Sequence, residues 1–134
     1  MKYLIDSDIL SYVIAGDETT IANFKKNLGE ELCISPITTL EQYFGMEAEG
    51  FSADKGVRIM KLMEKLIPIP FDERAGRQAG IVRSTLQKQG KNPNSLDSML
   101  AGHAIALGAT LVTNNTKDFK AIPGLRLVNW AKKP

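Results

Sequence analysis

The sequence runs to 134 residues with 43% hydrophobic and 24% charged side chains, which fits one globular domain and excludes disordered, collagen-like and coiled-coil chains. Seventeen Lys and Arg against fifteen Asp and Glu leave a formal charge of +2, which excludes a strongly basic histone-like or polybasic membrane-binding protein. The near-neutral sum hides a division: residues 1–71 hold seven basic and eleven acidic side chains, whereas residues 72–134 hold ten and four.

Tyr3-Leu4-Ile5 is a short apolar run that stops at Asp6-Ser7-Asp8, after which Ile9, Leu10, Val13 and Ile14 recur at helical spacing up to Gly16. This predicts strand, turn and helix. Glu31 to Ile34 reads as a second strand, and Ser35-Pro36 supplies an N-cap and an N1 proline for a helix whose apolar stripe is Ile37, Leu40, Phe44 and Ala48. A further helix is expected from Ala53 to Leu66. Ile67, Ile69 and Phe71 alternate as a third strand, and Asp72 caps a helix from Glu73 to Gln89 that stops at Gly90. After the Asn92-Pro93-Asn94 loop, Leu96, Met99, Leu100, His103, Ala104 and Leu107 mark another helix, closed by Gly108. Thr110 to Thr113 and Leu125 to Val128 give two more strands, and residues 132–134 are expected to fray. Strands alternating with helices, without hairpin dipeptides, predict βαβ crossovers: a three-layer α/β/α fold over residues 1–134, with a mostly parallel central sheet of four to five strands.

The single cysteine, Cys33, cannot form an intramolecular disulfide or by itself a Cys-based zinc site, and reads as a small buried hydrophobe in a cytoplasmic protein. No stretch approaches the ~18 apolar residues of a membrane span, and the N-terminus has no secretory pattern, so no membrane association is expected.

Ligands of an open parallel sheet bind beyond the carboxyl ends of the strands. Asp6 and Asp8 are expected at one such end, and Thr113-Asn114-Asn115-Thr116-Lys117-Asp118 at another. Glu41 falls within the apolar stripe of its helix, where a carboxylate either reaches a rim or serves a site. Asp97, three residues after Asn94, suits the first turn of a helix as a capping acid, and Asp8 and Asp118 also have local readings as cap and turn residues. Together in one crevice these acids would repel, by about 4 kcal/mol per pair at ~4 Å and an effective dielectric near 20, so the cluster calls for a cation. Oxygen ligands without a Cys or His cluster favour magnesium, or manganese, over zinc.

The ordered set Leu4-Ile5-Asp6-Ser7-Asp8-Ile9-Leu10, Cys33-Ile34-Ser35-Pro36-Ile37-Thr38 with Glu41 and Gly45, Asp97 to His103, Thr113-Asn114-Asn115 with Asp118-Phe119, and Pro123-Gly124-Leu125 before Trp130 resembles the PIN-domain ribonuclease toxins of VapC type, from about residue 3 to residue 130. The resemblance implies a magnesium-dependent endoribonuclease, the toxin of a toxin–antitoxin pair. Its acidic metal set maps onto Asp6, Glu41, Asp97 and Asp118. Asp8 stands where the family usually has Asn, as an added ligand or an outer hydrogen-bonding group, and Asn115 where many relatives carry an acid. The implied chemistry is attack by a metal-activated water on an RNA phosphodiester, in tRNA or rRNA, leaving 5′-phosphate and 3′-hydroxyl ends; the Thr113 hydroxyl can orient a carboxylate or water. An antitoxin covering the crevice and a homodimer are also implied.

The basic candidates for the RNA backbone are Arg83, Lys88 and Lys91, on one helix end and loop near Asp97, and Lys117 and Lys120, which flank Asp118. His103 reads as helix packing. Trp130 and Tyr43 read as core or interface residues, with base stacking as the alternative. Two competing functions remain: a phosphatase or phosphotransfer domain using Asp6, which needs a positioned lysine after a later strand, with Lys117 the one nearby candidate, and a non-catalytic protein-binding module of the same fold.

Overall fold

The computed structural model describes residues 1–50 and 52–132. Of the tail expected to fray, Lys133 and Pro134 lie outside the described residues. The elements run β1 (Lys2–Ile5), α1 (Ser7–Ile14), α2 (Glu18–Lys26), β2 (Glu31–Ile34), α3 (Pro36–Glu49), α4 (Ala53–Met63), β3 (Ile67–Pro68), α5 (Glu73–Lys88), α6 (Ser95–Leu107), β4 (Thr110–Val112), α7 (Thr116–Phe119) and β5 (Arg126–Val128).

The strands form one parallel sheet in the order β3-β2-β1-β4-β5. Alternation along each strand sends side chains to opposite faces and so makes two cores. Leu4, Cys33 and Leu111 pack with Val82 and Leu86 of α5 and Leu100, Ala101 and Ala104 of α6. Ile5, Leu32, Ile34 and Val112 pack with Ile9 and Leu10 of α1, Phe24 of α2, Leu62 of α4 and Trp130. The result is the three-layer α/β/α arrangement. Trp130 is a core residue, edge-on to the rings of Tyr3 and Phe24 at 5.2 and 6.0 Å.

The caps follow the sequence closely. Ser35 Oγ accepts from the Ile37 amide with Pro36 at the first helical position, Asp72 accepts from the Ala75 amide, and Asn94 accepts from the Leu96 and Asp97 amides. Gly108 closes α6 in the left-handed region, at φ 66°.

Several expectations need correction. α2 and α7 were not anticipated from the apolar pattern; α2 is capped by Asp17, whose carboxylate accepts from the Thr20 amide and hydroxyl. The third strand is only Ile67–Pro68, since Pro68 and Pro70 carry no amide donors and the segment forms the sheet edge. α4 ends at Met63 rather than Leu66. The largest difference is the buried face of α3. Ile37 is buried, but Leu40 and Phe44 are 52% and 71% exposed, and the inward positions are Thr38 and Gln42. α3 docks by polar contacts: Thr38 Oγ1 donates to the Ile5 carbonyl at 3.0 Å and Gln42 Nε2 to the Ser7 carbonyl at 2.9 Å.

α5 and α6 share the most extensive contact between elements. It depends on Gly102, where a Cβ would lie 2.3 Å from the backbone nitrogen of Ala79. Replacement by alanine must separate two helix backbones, so Gly102→Ala is expected to lower the unfolding free energy by about 2 kcal/mol or more. Gly80→Ala, in α5 but with nothing within 4 Å of the added carbon, is expected to raise it by about 0.5–1 kcal/mol. Chemical denaturation of both variants checks the pair; equal stabilities would contradict the close-packing account.

Candidate active site

The sheet order reverses direction at β1: the chain proceeds from it to β2 on one side and returns to β4 on the other. Such a reversal opens a crevice beyond the carboxyl ends of the strands. Ile5 is in register with Val112, so Asp6 and Thr113 leave adjacent strands side by side. The Asp6 amide donates to the Val112 carbonyl at 2.9 Å, and the Thr113 amide to the Val128 carbonyl at 3.0 Å, which fixes both residues at the rim.

Asp6 is the N-cap of α1, with Oδ1 accepting from the Ser7 amide at 2.7 Å. Its Oδ2 accepts from the Thr113 hydroxyl at 2.8 Å. Asp8 lies in the first turn of α1 rather than at its cap, and its Oδ2 accepts from the Asn114 amide at 3.0 Å. The fully buried Thr113 hydroxyl also lies 3.4 Å from that oxygen, while Asp8 Oδ1 is buried without a hydrogen-bond partner. Thr113 therefore ties the two carboxylates together. An outer network extends from Asn114, whose Nδ2 donates to the Tyr12 hydroxyl at 3.0 Å and whose Oδ1 accepts from Asn129 at 2.9 Å.

The other acids come from three separate elements. Glu41 is carried by α3, which the Thr38 bond pins against the end of β1. Asp97 comes from the first turn of α6, and α3 and α6 are joined by a 2.8 Å contact between Ser35 Oγ and His103 Nδ1. His103 is buried, packed edge-on to Phe71 at 5.2 Å, and burial pushes its pKa down; it is a packing residue that links the two helices. Asp118 lies on α7, where Asn115 Nδ2 donates to its Oδ2 at 3.0 Å. Asn115 thus orients Asp118, and its own amide donates to Thr113 Oγ1 at 3.0 Å.

Burial and mutual repulsion connect these groups. Burial pushes the Asp6 carboxyl up despite its hydrogen bonds. Burial, then the Asp6 charge, raises Asp8 to about 6. Glu41 is raised to about 7 by burial and then by Asp6 and Asp97, and Asp97 to about 6 by burial and then by Asp6 and Asp118. Asp6 is therefore coupled electrostatically to Asp8, Glu41 and Asp97, and Asp118 joins this group through Asp97. Among the described residues, no group of three or more His, Cys, Asp or Glu side chains is placed to hold a metal ion as it stands. The donor set still suits a hard divalent cation: oxygen ligands only, one of them a buried carboxylate oxygen with no other partner.

Two hollows flank the acids. One is lined by Asp97, Asp118, Lys91, Lys117 and Lys120, and the other by Glu41 with Ser7, Gln42 and Lys55. Arg83 and Lys88 are not brought into the first; Lys88 lines a separate depression on α5 with Arg77 and Ile81. Lys55 and Ser7 were missed by the sequence reading. Ser7 had a signal, since it lies between Asp6 and Asp8, whereas the approach of α4 to Glu41 has none in local sequence.

A PIN-domain family model matches residues 3–125 of this chain. The chain belongs to the PIN-domain family. Within it, the chain is 30% identical to the tRNA(fMet)-specific endonuclease VapC of Shigella flexneri, over 98% of this chain and 99% of that protein. It is 31% identical to the ribonuclease VapC2 of Haemophilus influenzae, over 97% of this chain and 98% of that protein. The crystal structure of VapBC2 from Rickettsia felis, bound to a DNA fragment from their promoter, matches with a TM-score of 0.89 and 30% identity, over 97% of this chain and 99% of that one. The resemblance to the VapC-type ribonuclease toxins of the PIN-domain family is thus borne out over nearly the whole length.

The repulsion in this PIN domain has a consequence for stability. Glu41, Asp8 and Asp97 have folded-state pKa values above their ordinary ones, so the folded chain takes up protons before the unfolded chain does. The penalty is fully present above about pH 7, is relieved as the pH falls through the folded values, and is absent below the ordinary carboxylate values near 4. Glu41→Gln is expected to be more stable than the parent at pH 8, with the difference disappearing toward pH 4. Melting curves in a chelating buffer across that range check this; an advantage that grew on acidification would contradict the cluster.

Proposed function

We propose that this chain is a single-domain, divalent-cation-dependent endoribonuclease, the toxin of a toxin–antitoxin pair, that hydrolyses phosphodiester bonds of tRNA. Its membership of the VapC-type ribonuclease toxins makes it an RNA endonuclease. The observation that carries the finer reading is the convergence of Asp6, Asp8, Glu41, Asp97 and Asp118 at the sheet's switch point, with the pKa of Asp8, Glu41 and Asp97 raised by burial and by neighbouring acids. The names of relatives such as that from Shigella favour tRNA over rRNA as the target.

Asp6, Glu41, Asp97 and Asp118 would hold the cation, with Asp8 adding its unpartnered Oδ1 or a hydrogen bond in the outer shell. Bound Mg²⁺, or Mn²⁺ in its place, supplies an activated water, relief of charge at the phosphate and help for the leaving oxygen. The chain's own contribution is orientation. Thr113 holds Asp6 and Asp8 by its hydroxyl, Asn115 holds Asp118, and the Thr38 bond and the Ser35–His103 contact keep the Glu41 and Asp97 helices facing Asp6. Lys91, Lys117 and Lys120 place positive charge beside the acids, where an RNA backbone needs it.

The phosphotransfer reading is weaker because both Asp6 oxygens already accept hydrogen bonds and the carboxylate is nearly buried, which suits a ligand better than a nucleophile. For the antitoxin and the homodimer, support comes from the resemblance and from the apolar area that α3 leaves exposed at Leu40, Tyr43 and Phe44, within one turn of Glu41.

The test is cleavage of purified tRNA on denaturing gels. The parent is expected to cut with Mg²⁺ present, to stop on addition of EDTA and to resume with excess Mg²⁺. Asp6→Asn and Asp97→Asn are each expected to lose activity by at least about a hundredfold while keeping the fold. An Asp97→Asn variant as active as the parent would overturn the assignment, and turnover of a phosphate monoester without RNA cleavage would favour the phosphotransfer reading.

A further inference from the structure

His103, the single histidine of the chain, is a buried titratable side chain among apolar neighbours. Leu100, Ala101 and Ala104 of the same helix belong to the core, and the Phe71 ring packs edge-on to the imidazole at 5.2 Å. Packing alone does not require a polar ring here, since an apolar side chain avoids the cost of taking imidazole out of water. What the imidazole adds is a hydrogen bond of 2.8 Å between Nδ1 and the Ser35 hydroxyl, both residues being at most 1% exposed.

That bond has a direction. Ser35 Oγ already accepts from the Ile37 amide at 3.1 Å as the N-cap of α3, and among the described residues its hydroxyl has no further partner except His103 Nδ1. The hydroxyl hydrogen therefore goes to Nδ1, which is the unprotonated nitrogen. Burial pushes the pKa of the ring down, so the imidazole is neutral and its one proton is on Nε2. Nε2 makes no close hydrogen bond, but the Pro70 carbonyl acts on the ring in the sense that favours a proton. The reverse assignment would bury the Ser35 hydrogen without an acceptor and leave a lone pair where that carbonyl favours a proton.

The bond also joins two levers of equal length. Glu41 lies six residues beyond Ser35 on α3, and Asp97 six residues before His103 on α6, each about 9 Å along its helix at ~1.5 Å per residue. The other polar anchors of α3, Thr38 to the Ile5 carbonyl and Gln42 to the Ser7 carbonyl, lead to β1 and α1 instead. Among the described residues, Ser35–His103 is the one hydrogen bond from α3 and its cap to α6. Glu41 feels the charge of Asp97, and a cation shared by two repelling carboxylates needs them at a fixed spacing.

We propose that the Ser35–His103 pair, with the ring proton on Nε2, is a positioning element that fixes the separation of Glu41 from Asp97 and thereby sets the affinity of the acidic site for a divalent cation; this rests on the cation-dependent reading above. His103 acts through the two helices rather than on cation or RNA.

The test has two readouts on the full chain. Long-range proton–nitrogen NMR of the single histidine assigns its tautomer: an unprotonated Nδ1 with a protonated Nε2 is expected, and a protonated Nδ1 would overturn the proposal. The second readout is Mg²⁺ affinity by titration calorimetry. His103→Leu and Ser35→Gly, the latter keeping most of the capping, are each expected to weaken Mg²⁺ binding on the order of tenfold. The double variant is expected to lose no more than either single one, because both remove the same bond; additive losses would contradict the account. His103→Asn, which keeps a polar atom near the Nδ1 position, is expected to recover most of the affinity. Phe24→Leu, which loosens the core on the other face of the sheet, is expected to lower the melting temperature with Mg²⁺ affinity unchanged; an equal loss of affinity there would assign the effect to stability and overturn the proposal. Parent-like affinity in both single variants would overturn it while leaving the cation-dependent reading intact. No Mg²⁺ binding by the parent would overturn that reading, and this proposal with it.

Discussion

The mutual repulsion of carboxylates beyond β1 and β4 is the constraint on which the rest of the site depends. Asp6 cannot move away, because its amide continues the sheet ladder and its two oxygens are held by the Ser7 amide and the Thr113 hydroxyl. Asp8, Glu41 and Asp97 are therefore set against a fixed, largely buried charge, and their raised pKa values each include the Asp6 charge after burial. A chain that only had to fold would place apolar or paired residues here. Retaining acids without basic partners costs stability at neutral pH, a cost that the divalent cation proposed above would offset.

Much of the remaining structure maintains this arrangement. Thr38 fastens α3 to the end of β1, and the Ser35–His103 contact fastens α3 to α6, so the elements bearing Glu41 and Asp97 are joined below the site. Gly102 lets α5 approach α6 closely enough to hold that helix against the sheet. The division of charge along the chain acquires a spatial meaning from the same topology. The acidic first half contributes Asp6, Asp8 and Glu41, while the basic second half surrounds Asp97 and Asp118 with Lys91, Lys117 and Lys120. The near-neutral net charge of +2 thus conceals an acidic centre with basic side chains beside it.

Most of the fold was legible because its signals are local. The Ser35-Pro36 and Asn94 caps, the Gly108 stop and the apolar strands β1, β2 and β4 rest on neighbouring residues, and the alternation of strand and helix implied parallel pairing. α2 was missed because its mean hydropathy is low and its buried side chains are only Thr20 and Phe24. The α3 stripe was misjudged for a different reason. An apolar face at Leu40 and Phe44 predicts burial only when another element covers it, and α3 turns Thr38 and Gln42 inward to reach backbone carbonyls instead. The acids could be named from the sequence, but their meeting could not be derived from spacing alone: the Asp97 helix is set by its contacts with α3 and α5, and the link from Thr113 to both Asp6 and Asp8 depends on the β1–β4 register. The separation of Lys88 from Lys91 likewise depends on where α5 ends and its loop turns.

The most direct measurement of the central claim is the number of protons released when Mg²⁺ binds, obtained by titration calorimetry in two buffers of different ionisation enthalpy. It is made at a pH between the values of Asp97, about 6, and Glu41, about 7. If the carboxyls are held up by burial and each other's charge, an arriving cation lowers their pKa values and displaces the protons they carry. Saturable binding with release of about one proton per chain is the result expected. Binding that released no protons at that pH, or no binding at all, would contradict it.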